Sequence, residues 1–65
     1  MALLPDKIVV AAMELVVEAE NTDLETWEYA RYVGDRLKKR FPTVGPLTVD
    51  VIANEMLDSR NRGLW

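Results

Sequence analysis

The chain has 65 residues, with eleven acidic and eight basic side chains, a formal net charge of −3, and neither cysteine nor histidine. That length makes a single domain with a small core. The missing residue types exclude disulfides, thiolate metal sites, and the commonest general base and transition-metal ligand. With 49% of its residues hydrophobic the composition is globular rather than disordered. A domain this small, without disulfide or metal, is expected to lean on a partner subunit or on a tight helical core.

The net charge hides a polarity. Residues 1–30 carry seven acids and one base, and residues 31–65 carry seven bases and four acids, so the halves come to −6 and +3. Such halves can pair with each other, or leave one basic face. No basic stretch precedes the first apolar run and no small-residue cleavage site follows it, so no signal peptide is expected. The run is about 12 residues long with two glutamates, short of a membrane span. A cytoplasmic location is the expectation, and the lack of cysteine suits a reducing compartment.

The first predicted helix covers about residues 5–20. Pro5 suits the first helical position and Asp6 the positive end of the dipole. Val and Ile are frequent from Ile8 to Ala19, but Ala11, Ala12, Met13, Glu14 and Leu15 favour a helix. Glu14 and Glu18 share one narrow stripe with Lys7 and Ala11, and the rest of the circumference is apolar. A helix of this kind is expected to be covered on at least two sides. It is therefore placed in the middle of the fold and against a second copy of the chain, through Val9, Met13, Val16 and Val17.

Asn21-Thr22 breaks the pattern, and Thr22-Asp23-Leu24-Glu25 reads as a capping box. The second helix is expected over about residues 23–40, following a two-residue connection that makes an antiparallel hairpin. Trp27, Ala30, Val33, Gly34, Leu37 and Phe41 share its apolar face, while Tyr32, Asp35, Arg36 and Lys39 face away. Gly34 on the buried side implies the close approach of another helix. Pro42-Thr43-Val44-Gly45-Pro46 forms a stiff connector. The third helix is expected over about residues 48–62, with Thr48 as its N-cap and Gly63 as its stop.

Catalysis finds little support in these residues. Lys7, Lys38 and Lys39 lie in polar surroundings, and the only serine, Ser59, has no base of the usual kind beside it. The pairs Glu14/Glu18 and Glu25/Glu28 lack the histidines of the known di-metal bundles and read as solvated acidic surface. No metal, cofactor or enzymatic activity is expected.

Pro46-Leu47-Thr48-Val49-Asp50-Val51-Ile52-Ala53 resembles the opening helix of a helix-turn-helix unit, in which a tight turn and a recognition helix follow. The resemblance covers about eight residues and implies DNA binding. Ser59-Arg60-Asn61-Arg62 would then be candidates for phosphate or base contacts, although the twelve residues after Ala53 read as continuation of the same helix.

The sequence thus points to an all-α, compact three-helix domain spanning residues 1–65, a helical hairpin closed by a third helix, that self-associates as a homodimer. The expected function is that of a small non-enzymatic protein-binding module, a regulator, adaptor or inhibitor. The alternative is a nucleic-acid-binding transcriptional regulator. Candidate contacts to a protein partner or nucleic acid are Tyr32, Arg36, Lys38, Lys39, Arg40, Arg60, Arg62 and Trp65. Tyrosine, tryptophan and arginine are the types enriched at binding hot spots.

Overall fold

The computed structural model describes residues 6–65. Three helices, α1 (Asp6–Glu20), α2 (Tyr29–Arg40) and α3 (Pro46–Asn61), each pack against the other two, and no strand is present among these residues. The molecule measures 31 × 24 × 16 Å. Pro5, expected at the first helical position, lies outside the described residues.

The core draws on all three helices. Ile8, Ala11, Ala12, Leu15, Val16 and Ala19 are buried on α1, Val33 and Leu37 on α2, and Val49, Ile52 and Ala53 on α3. On α1 these positions recur at intervals of three and four, so they form one stripe. Alanine at three of the six lets the neighbouring helices come close. Tyr32, Phe41, Val44, Met56, Leu57 and Trp65 close the edges of this core.

The placement of α1 differs from the sequence expectation. It takes one side of a triangle rather than the middle, and its outer face is open: Val10 is 53% and Val17 39% exposed. The apolar residues of α1 form two stripes, and the three-helix core covers only one of them. Val16, expected at an intersubunit contact, belongs to the covered stripe.

The helix boundaries also shift. Thr22 does not cap α2. Its hydroxyl donates to the Ala19 carbonyl at 2.7 Å and so closes α1 instead. The chain then stays non-helical through Glu25, and a single 3₁₀ turn, Thr26–Glu28, leads into α2. The Glu28 carboxylate accepts from the Glu25 N–H at 3.3 Å, so the reciprocal cap sits three residues later than expected. The hairpin connection is correspondingly longer than two residues.

At the other connection Gly45, not Thr48, is the N-cap of α3, and Pro46 takes the first helical position, where its missing N–H is harmless. α3 continues through Ala53 to Asn61 without a turn. The helix-turn-helix-like element is therefore absent: residues 54–61 extend the same helix instead of forming a turn and a recognition helix.

Gly63 ends α3 as expected. Its φ of +76° is left-handed. Its N–H donates to the Arg60 carbonyl at 3.0 Å, and the Leu64 N–H donates to the Ser59 carbonyl at 3.0 Å. This pair of bonds is a Schellman motif, and it turns Trp65 back onto the helices.

Candidate functional site

The open stripe of α1 is an apolar face left uncovered by the three-helix core. Val10, Met13 and Val17 line a shallow groove along the helix, with Trp65 as its far wall and Glu14 at its rim. Val10 also borders a second depression between α1 and α2, beside Phe41 and Arg40. Of the four residues expected at this face, Val17 is exposed, Val9 and Met13 are half-buried, and Val16 is fully buried in the core. The sequence reading missed Val10. Its signal lay in the spacing: Val10, Met13 and Val17 recur at three and four, apart from the stripe that starts at Ile8.

Trp65 is held there by Arg60. The guanidinium makes two parallel bonds to the Glu20 carboxylate, each 3.0 Å, and donates to the Trp65 main-chain oxygen at 2.8 Å. Its plane lies over the indole, 4.8 Å from the ring centroid. A forked donor on a carboxylate fixes direction as well as distance. These bonds join the end of α1 to the end of α3, two elements far apart in the chain. Hydrogen bonding to Arg60, reinforced by its charge and opposed by partial burial, holds the Glu20 carboxyl below its ordinary pKa. The same bond raises that of Arg60. The indole Nε1–H of Trp65 is buried and meets no acceptor among the described residues.

On the other side of this ion pair lies a second groove. Glu20 and Arg60 border it, Ala30 and Leu57 form its apolar lining, and Trp27 stands beside it. Trp27, expected in the core, is 75% exposed. The 3₁₀ turn that carries it winds more tightly than an α-helix, so helical spacing back from Val33 does not apply there. Leu47 and Val51, one turn apart on α3, form another exposed apolar pair.

Most of the candidate basic contacts are engaged within the chain. Lys38 pairs with Asp50 at 3.2 Å, Arg40 approaches Glu14 at 3.9 Å, and Arg62 pairs with Asp58 at 3.1 Å. Arg36 stacks on the Tyr32 ring at 4.3 Å. Tyr32, expected to face away, packs at the edge of the core, and its hydroxyl donates to Glu18 at 3.3 Å. Lys39 is exposed in the last turn of α2. Two of these contacts, Arg40–Glu14 and Arg60–Glu20, join the basic half of the chain to the acidic half. Ser59 donates to the Glu55 carbonyl at 2.8 Å, an ordinary back-bond within a helix.

No protein-family model matches this chain, and neither a curated protein nor a solved structure shows significant similarity to it. No described helix is long and apolar enough to cross a membrane.

Proposed function

We propose that this chain is a small non-enzymatic protein-binding module, a regulator, adaptor or inhibitor, that acts as a homo-oligomer in the cytoplasm. The observation that carries the reading is the groove of Val10, Met13, Val17 and Trp65. An apolar stripe left open on a domain with so little core is what a binding face requires. Trp65 adds a ring of the kind enriched at hot spots, already held in place by Arg60, so little ordering is needed on binding.

The alternative, a nucleic-acid-binding regulator, draws on Arg36, Lys38, Lys39, Arg40, Arg60 and Arg62. It is the weaker reading because most of these cations already face carboxylates or an aromatic ring within the chain. A phosphate contact would have to displace those partners.

Light scattering after size exclusion tests the first reading, run over roughly a hundredfold range of concentration at low and high salt. The expected result is self-association that survives salt in the wild type and is lost in Val17→Glu, with helix content unchanged by circular dichroism. A monomer throughout would remove the homo-oligomer from the proposal. Duplex DNA tests the second. If six phosphates were neutralised, affinity would fall about a thousandfold over a fourfold rise in salt. It would also be lost when Lys38, Lys39 and Arg40 are replaced by Gln. That result would install the alternative.

A further inference from the structure

The open stripe of α1 is nearly symmetric about its own middle, and this names its occupant. Val10 and Val17 are seven residues apart, about 10 Å along the helix axis, with Met13 close to the midpoint. Turned end for end, the stripe presents the same side chains at the same levels. A closed two-fold contact joins one patch to itself, and this stripe offers apolar side chains at matching levels for it. We propose that the groove is filled by the same groove of a second copy, with the two α1 helices antiparallel about a two-fold axis near Met13. The proposal rests on the homo-oligomer reading above and adds the identity of the face and its direction.

Charge selects the direction. Lys7, Glu14 and Glu18 are exposed and border the same side of the stripe. In a parallel two-fold pair this flank would face the partner's opposite flank, where Val9 lies, and Lys7 would find no carboxylate at its own level. In the antiparallel pair Val10 meets the partner's Val17, and Lys7 comes within about 3 Å, measured along the axis, of the level of the partner's Glu18. The two Glu14 side chains approach each other near the axis, and each has an Arg40 of its own chain beside it. Antiparallel helix dipoles add a smaller attraction of the same sign. A typical stable interface takes about 800 Å² from each partner, near a sixth of the 4708 Å² surface of this chain. Three valine and methionine side chains with Trp65 supply less than that, so the dimer is expected to dissociate on dilution.

The absence of native cysteine makes a direct test available. Met13→Cys, Val10→Cys and Val17→Cys are prepared singly and oxidised mildly at a concentration where light scattering reports dimer. A disulfide needs Cα atoms within about 7 Å. The expected pattern is a disulfide-linked dimer from Met13→Cys alone and from an equimolar mixture of Val10→Cys with Val17→Cys. Val10→Cys or Val17→Cys by itself should give none. Cross-linking of Val10→Cys and Val17→Cys each with itself, but not with the other, would overturn the antiparallel arrangement while leaving the homo-oligomer standing. Dimer without any of these cross-links would overturn the choice of face. A chain that stays monomeric up to roughly millimolar concentration would overturn this proposal and the homo-oligomer together. A second measurement leaves the apolar residues untouched. Lys7→Glu should weaken dimerisation about tenfold, and the double variant Lys7→Glu/Glu18→Lys should restore most of it. Failure of the double variant to recover would count against the antiparallel pairing.

Discussion

Arg60 makes more hydrogen bonds than any other side chain described, a forked pair with Glu20 and a bond to the Trp65 main chain, and it also lies against the Trp65 ring. Its contribution depends on pH with a definite sign. The Glu20 carboxyl titrates lower in the folded chain than its ordinary value of 4.5. The stabilisation is therefore complete above that value and is lost as pH falls through the lower, folded one. Thermal melts of wild type and Arg60→Ala should differ most at pH 7, and the gap should narrow in acid to what the Trp65 contacts supply. Gly63 has a left-handed φ with open space around it, so Gly63→Ala should cost about 1 kcal/mol through backbone strain alone. At Gly34 a Cβ would meet the Asp50 carboxylate oxygen at 3.3 Å. That oxygen ends a half-exposed side chain that can move aside. Gly34→Ala should accordingly keep most of the helix-propensity gain, up to about 1 kcal/mol, seen as a raised melting temperature. Trp27→Ala, at a position 75% exposed, should change stability by no more than about 0.5 kcal/mol. The role of Gly63 was legible because a glycine after a periodic run has one common use. Thr22 was misread because its hydroxyl can serve the helix before it as well as the helix after it. The letters Thr-Asp-Leu-Glu do not distinguish the two.

At the scale of elements, three helices and their order were legible from apolar spacing and from the breaks at Asn21 and Pro42. Two things were not. The first turn of α2 is 3₁₀, and extrapolating an α-helical wheel through it put Trp27 inside. On α1, valine is apolar on both stripes, so hydropathy alone does not say which stripe the core takes. The alanines do: Ala11, Ala12 and Ala19 lie on the side where helices approach, and Val10 and Val17 lie where they do not. A paired substitution reads this division directly. Val16→Glu buries an uncompensated charge in the core and should unfold the domain. Val17→Glu, one residue on, should leave the circular-dichroism melt within a few degrees of wild type. Equal effects from the two would mean that the two stripes are not distinct.

For the molecule as a whole, the −6 and +3 halves of the chain meet across the fold, through Arg40 with Glu14 and Arg60 with Glu20. The charge polarity was legible in the sequence; which partners it joins was not, because that depends on how α1 and α3 end beside each other. Two tryptophans now stand on either side of the Glu20–Arg60 bridge in opposite surroundings. One indole is bathed in water and the other is tucked under a guanidinium with its N–H shielded. The chain thus carries two native fluorophores of different colour. Trp27 should emit to the red and be quenched readily by iodide. Trp65 should emit to the blue and be protected. Replacing Trp27 by Phe would leave a single intrinsic lamp at the edge of the α1 groove, whose emission follows whatever comes to lie upon it.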